Sequence, residues 1–266
     1  MSYALSVACL LAYAAGVHWN RIRGRRPVTL WQIVAFVAGL VALAAALSGP
    51  VDALADASFV AHMGQHIVLL MLAPPLLLLG DPLRLALSAS PRRVARRLAR
   101  ILRSTLVHWL TAPLVAWLVF VAAIWTVHLS PLYEAALQNE AVHAGEHGLL
   151  LGAALLFWYP LVGMGPTLHP FGYLARLLYL LLATPQNAFL GLAIYQARHV
   201  LYAHYLVTPN PFHVSALADQ EAAGELMWIA GSLVMFVALL LVAADWARND
   251  ARLAVRVDAR LEGVSP

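Results

Sequence analysis

Charge is scarce in this sequence, and lysine is absent from it. Only 11% of the 266 residues are charged, whereas a typical soluble domain has roughly 25%. Apolar residues make up 62% of the chain, and its mean hydropathy is +0.76. A soluble fold of this size cannot hide so large an apolar fraction from water. The composition therefore excludes the ordinary soluble classes and predicts an integral membrane protein.

Cysteine is nearly absent as well, because Cys9 in the first apolar run is the only one. A single cysteine excludes an internal disulfide and any Cys-x-x-Cys metal or redox site. The net charge of +4 and the pI near 9.5 are values that nucleic-acid-binding proteins also show. All 17 basic residues are arginines, however, and nearly all lie beside apolar runs. We therefore predict that they orient the chain in a membrane, and we expect no nucleic-acid partner.

Seven apolar runs are long enough to cross a bilayer, whose core of about 30 Å needs roughly 20 apolar residues per helix. They lie near residues 2–19, 29–48, 58–79, 107–127, 141–162, 173–195 and 222–246. The first run has no basic segment before it and no small-residue cleavage site, so we expect a retained span rather than a signal peptide. The predicted fold class is an all-α, polytopic seven-transmembrane-helix bundle, with 1–266 as a single membrane domain.

The arginines predict the orientation. With these spans, 16 of the 17 fall on one side of the membrane and only Arg198 falls on the other. The positive-inside rule makes the arginine-rich side cytoplasmic, so the N-terminus lies outside and the C-terminus inside. The segment 91–103 alternates arginines with apolar residues, which is typical of an amphipathic helix on the anionic lipid of the inner leaflet. Membrane lipid is thus an expected partner.

Histidines carry the chemical signal. Eight of the eleven lie on the predicted outer side. Two pairs have the spacing His-x-x-x-His, which places both rings on one face of a helix. Two such helices could hold one metal ion within a bundle. Glu146 lies beside the second pair and could orient the imidazoles or bind the ion itself. The predicted metal ligands are His62, His66, His143 and His147, followed by His128, His204, Asp219 and Met227.

The ligand types leave several functions open. Without thiolates, an imidazole-rich site suits copper or zinc, and thioethers such as Met63 and Met227 would favour Cu(I). The segment His143-x-x-Glu146-His147 also matches the inverted motif of zinc peptidases, although such an enzyme needs a third ligand and an open position. Facing histidines could instead bind haem. A copper permease would need ionisable groups continuing to the inner side, and the sequence largely lacks them.

Several motifs together resemble one known family. They are the histidine pair followed by Pro74-Pro75 within 62–83, the run 128–163 with His128 and the second pair, Tyr202 and Tyr205, and the segment 219–228 that contains Asp219, Gln220, Met227 and Trp228. In this combination the chain resembles the CtaG family of caa-type cytochrome c oxidase assembly factors.

The resemblance implies a seven-span protein of the bacterial plasma (inner) membrane that matures the oxidase by handling copper on the outer side. Its expected partners are cytochrome c oxidase subunits and a periplasmic copper carrier, and a catalytic activity of its own is not expected. The sequence departs from the family at 183–187, because many relatives have a histidine soon after the proline and this chain has Gln186 and Asn187 there. If that histidine handles metal in relatives, this chain lacks it.

Overall fold

The computed structural model describes residues 3–162 and 168–261, with side chains up to Val257. The ends of the expected domain 1–266, and Gly163 of the family-like run, lie outside the described residues. Fourteen α-helices occupy the described chain: α1 Tyr3–Ile22, α2 Leu30–Ala46, α3 Gly49–Ala57, α4 Phe59–Ile67, α5 Ala73–Leu79, α6 Pro82–Ala89, α7 Arg92–Leu102, α8 Thr105–Leu110, α9 Pro113–Leu129, α10 Pro131–Gln138, α11 Glu140–Val162, α12 Tyr173–Tyr195, α13 His204–Val207 and α14 Ala216–Leu261. A π-helical segment, Val68–Leu72, joins α4 to α5.

The fold is all-helical across the described residues, with several helices suited to a membrane. Four segments are long and apolar enough to cross one: Phe59–Ala89, Glu140–Val162, Tyr173–Tyr195 and Ala216–Val257. The count rises to six if α2 with α3, and α9 with α10, each form one bent span. Helix α1 has 20 residues, but its last turns carry His18, Asn20 and Arg21. The prediction of a helical membrane protein is thus confirmed, while seven spans and their orientation stay predictions.

Two helix boundaries differ from the sequence prediction for local reasons. The run expected at 107–127 is divided, because α8 ends before Pro113, which occupies the first turn of α9. Proline is favoured there, since the first helical N–H groups have no partner within the helix. The last helix, α14, begins at Ala216 and continues to Leu261, well beyond the expected 222–246. An apolar run in the sequence marks only the part of a helix that is suited to lipid, and the helix itself can continue into polar residues.

The π-helical segment follows from the prolines behind it. Pro74 has no N–H, so the carbonyl of Leu70 lacks its usual donor four residues later. Trp158 of α11 supplies the missing hydrogen bond, since its Nε1 donates to the Leu70 oxygen at 2.8 Å. The wider turn is completed by the Ala73 N–H, which donates to the Val68 carbonyl five residues earlier. The hydrogen bond from Trp158 to Leu70 therefore connects the π-helical segment after His66 to α11.

We expect Trp158→Phe to lower the free energy of unfolding by about 1–3 kcal/mol, because it leaves a buried carbonyl without a donor. Trp117→Phe is the matched control, since the buried Nε1 of Trp117 has no hydrogen-bond partner among the described residues. Thermal unfolding in detergent measures both variants. Equal losses in the two would show that ring size, rather than the bond to Leu70, determines the stability.

Helices α12 and α14 pack backbone to backbone. A Cβ atom on Gly224 would lie 2.5 Å from the Tyr195 nitrogen and 2.6 Å from the Gly191 oxygen. Only glycine permits this approach, because ordinary side chains would push the helices apart. One helical turn before Gly191, the Asn187 side chain of α12 donates to the Met227 carbonyl of α14 at 2.8 Å. The first turns of α14 are thereby fixed against the rest of the bundle.

Candidate metal centre

The structure brings the two histidine pairs together. His62 and His66 lie on α4, and His143 and His147 lie on α11. One ligand atom from each of His62, His66, Glu146 and His147 lies within 4.8 Å of the other three. We call these four residues the histidine cluster. His143 lies beside it, with its ring centroid 5.1 Å from that of His62.

The histidine cluster is buried, yet much of its polar capacity is unused. His62 and His66 have no exposed surface, and Glu146 and His147 are 2% and 8% exposed. Among the described residues, neither the Nε2 atoms of His143 and His147 nor the two Glu146 carboxylate oxygens have a hydrogen-bond partner. Buried polar atoms are nearly always satisfied in folded proteins. Such a group of unsatisfied polar atoms, two of them carboxylate oxygens, suits a cation.

A chain of hydrogen bonds sets which nitrogen of His66 faces the histidine cluster. The Nδ1 of His128 lies 2.7 Å from the Ile124 carbonyl, which only accepts, so this nitrogen carries a proton. In a neutral ring, the His128 Nε2 then accepts from the His66 Nδ1 at 3.0 Å. The neutral His66 ring therefore presents its Nε2 lone pair to the histidine cluster. Nitrogens of metal-binding histidines that face away from the ion are commonly fixed in this way.

His62 is held by a matching contact. Its Nδ1 lies 3.4 Å from the Tyr205 hydroxyl, which lies 3.2 Å from the Ala55 carbonyl and donates to it. Burial raises the pKa of Tyr205 above its usual value, so the phenol stays protonated near neutral pH. The oxygen of Tyr205 can then accept from the Nδ1–H of His62, which leaves the Nε2 of His62 as a lone pair.

The two Nε2 atoms of His62 and His66 are 3.1 Å apart. Two lone pairs at this distance repel each other unless a proton or a cation lies between them. An ion about 2.0–2.2 Å from each imidazole nitrogen or carboxylate oxygen would be surrounded by ligand atoms separated by roughly 3–4 Å. The spacing within the histidine cluster therefore fits a single metal ion after small side-chain shifts.

The other predicted ligands are placed outside the histidine cluster. His204 is turned toward the backbone, with its Nε2 2.9 Å from the Asp56 carbonyl. Asp219 accepts from the Ser58 hydroxyl at 3.0 Å and from the Phe59 N–H at 2.6 Å, so its carboxylate caps the N-terminus of α4. Met227 packs in the apolar core. His128 contacts the cluster through its hydrogen bond to His66.

Sequence reasoning gave too little weight to two residues. The sequence left open whether Glu146 orients the imidazoles or binds an ion itself, and its Oε1 lies 3.5 Å from the His66 Nε2. Tyr133 was not considered, although it is fully buried, with its ring centroid 4.9 Å from that of His62. Its hydroxyl lies 3.1 Å from that of Tyr205. The one available signal was its position just after the His128 and Pro131 turn.

Known proteins are similar in sequence to this chain over most of its length. Residues 11–249 match the family model described as cytochrome c oxidase caa3 assembly factor. An uncharacterized protein of Mycobacterium leprae is 31% identical over 271 residues, which cover 96% of this chain and 40% of the relative. Uncharacterized proteins of Mycobacterium bovis and Mycobacterium tuberculosis are each 31% identical over 266 residues, with the same coverage. The chain thus spans about 40% of the length of these curated relatives. No solved structure matches it.

Proposed function

Because the chain belongs to the cytochrome c oxidase caa3 assembly factor family, we propose that it binds a copper ion in the histidine cluster and passes it to an oxidase subunit. The observation that carries the proposal is the group of four buried ligand atoms within 4.8 Å of one another. His62, His66 and His147 would bind through nitrogen and Glu146 through oxygen. His143, beside the cluster, would act as a further ligand while the ion is being received or released.

The donor set supports copper on chemical grounds. Three imidazoles and a carboxylate suit copper and zinc better than magnesium or calcium. Between the first two, copper is the proposed ion because cytochrome c oxidase, which this family assembles, is itself a copper enzyme. The ion is cargo in this proposal, so the site must release it as well as hold it.

The proposed location is the outer side of a bacterial plasma membrane. In the seven-span arrangement with the N-terminus outside, the arginine-rich loops are cytoplasmic and the histidine cluster lies near the external surface. A periplasmic copper carrier would deliver the ion there, and the oxidase subunit would receive it there. The basic helix α7, which has no buried residue, would rest on anionic lipid at the opposite surface.

The proposal is tested in cells that lack this protein. Wild-type protein should restore oxidase activity and the copper content of the purified oxidase, whereas His66→Ala should restore neither. His199→Ala is the control, because His199 is an exposed histidine that lies outside the histidine cluster. Membrane levels of each variant are measured by immunoblot. Full oxidase copper with His66→Ala at normal protein levels would refute delivery from this site.

A further inference from the structure

A cavity opens beside the histidine cluster, at the end of the bundle predicted to face outward. It has a volume of about 440 Å³ and is lined by residues at the α9–α10 turn and in the segment before α13. His128, Ser130, Glu134, Tyr202 and Ala203 are among them. His128 forms part of its wall, and the His128 Nε2 lies 3.0 Å from the His66 Nδ1. His128 therefore borders both this cavity and the cluster.

A carboxylate, Glu134, lines the cavity, and one of its oxygens has no hydrogen-bond partner within the described chain. The Oε1 of Glu134 accepts from the His204 N–H at 3.2 Å and from the Gln138 side chain at 3.1 Å. Its Oε2 is shielded from solvent and has no hydrogen-bond partner within the described chain. No arginine is found among the described residues that line the cavity. A cavity that has negative charge and no positive counterpart concentrates cations.

His128 lies where the cavity and the histidine cluster meet, and its position is fixed by hydrogen bonds. Its ring is held by the Nδ1 bond to Ile124, and the Tyr202 hydroxyl donates to the His128 carbonyl at 2.5 Å. Burial raises the pKa of Tyr202, so this phenol remains a donor near neutral pH. The backbone of His128 is thus fixed from the cavity side, while its Nε2 faces the cluster.

We propose that this cavity is the port through which the metal cation reaches and leaves the histidine cluster, and that Glu134 captures the cation there. The inference rests on the proposed function, because a port requires a cation bound behind it. Glu134 acts before the cation reaches His66, so it affects the rate of loading and not the final amount of metal bound. A port residue is thus recognised by a changed loading rate, and a ligand of the final site by a changed amount of bound metal.

The test is the rate of metal loading in purified, metal-free protein in lipid nanodiscs. Cu²⁺ is mixed with the protein in a stopped-flow instrument, and the rise of its imidazole-dependent visible absorption is followed. Glu134→Gln should slow loading roughly tenfold or more at low salt, because it removes a charge that attracts the cation. It should leave the final copper stoichiometry unchanged. Glutamine keeps an oxygen that can accept from His204 and Gln138.

Two further variants complete the experiment. Glu140→Gln is the matched control, since Glu140 is an exposed glutamate at the start of α11; its loading should equal that of wild type. Ala203→Trp places a bulky ring in the cavity and should slow loading without removing charge. Unchanged rates in both Glu134→Gln and Ala203→Trp would overturn the port, as would a loss of stoichiometry in Glu134→Gln. Absence of copper binding in wild type would instead refute the proposed function itself.

Discussion

His66→Ala should remove stoichiometric copper from the purified protein, and the other ligands should not compensate. His66 lies on the hydrogen-bonded path from His128 and faces both His62 and Glu146. Loss of an outer partner of a metal ligand costs roughly 10–100-fold in affinity, so the loss of a direct ligand should cost at least that much. Copper titration against a chelator of known affinity measures the change, and metal analysis gives the stoichiometry.

Two controls distinguish a lost ligand from a damaged fold. His199→Ala removes an exposed histidine outside the histidine cluster and should bind as wild type does. Glu146→Gln keeps the shape of a buried side chain but removes its charge, so it should weaken binding in a protein of normal thermal stability. If His66→Ala and Glu146→Gln both retained wild-type affinity, copper would not be held in the histidine cluster.

Gly224→Ala should cause a large loss of stability for the addition of a single methyl group. The added Cβ would meet the Tyr195 nitrogen and the Gly191 oxygen, which are backbone atoms and cannot rotate away. Overpacking of this kind costs about 1–3 kcal/mol, and more where the neighbours cannot move. Separation of α12 from α14 would also displace Asp219, which caps α4. Thermal unfolding in detergent should therefore show a lower midpoint, accompanied by weaker copper binding.

Gly152→Ala is the matched control. Gly152 lies inside α11, and a Cβ there would meet nothing within 4 Å. Removing a mid-helix glycine should leave stability unchanged or raise it by about 0.5–1 kcal/mol. A midpoint for Gly224→Ala equal to that of Gly152→Ala would show that α12 and α14 do not need this close approach.

The candidate ligands on regular helices could be predicted from sequence, because helical spacing alone sets which side chains share a face. His62 with His66 and His143 with His147 are such pairs. The sequence left the role of Glu146 open, because a carboxylate next to a histidine is as common on an exposed helix surface as it is in a metal site. Its participation depends on how α11 is rotated against α4, and helix rotation is set by packing partners distant in sequence.

The roles of Asp219, His204 and Tyr133 depend on contacts that no local pattern reveals. Asp219 looked like a ligand at the start of a helix, but its carboxylate reaches 160 residues back along the chain to the Phe59 N–H. Tyr133 looked like an ordinary aromatic residue after a turn. The 68° bend between α9 and α10 is what turns it toward His62.

The sequence by itself determined that this chain is helical, apolar enough for a membrane and equipped with two histidine pairs, because composition and helical periodicity are properties of neighbouring residues. Only the tertiary structure decided that His62, His66, His147 and Glu146 bring one ligand atom each within 4.8 Å of the others, and that a cavity lined by Glu134 opens beside them. Those facts depend on the rotation and bending of whole helices. Contacts such as Trp158 with Leu70 and Gly191 with Gly224 fix these rotations, and each contact joins residues far apart in the chain.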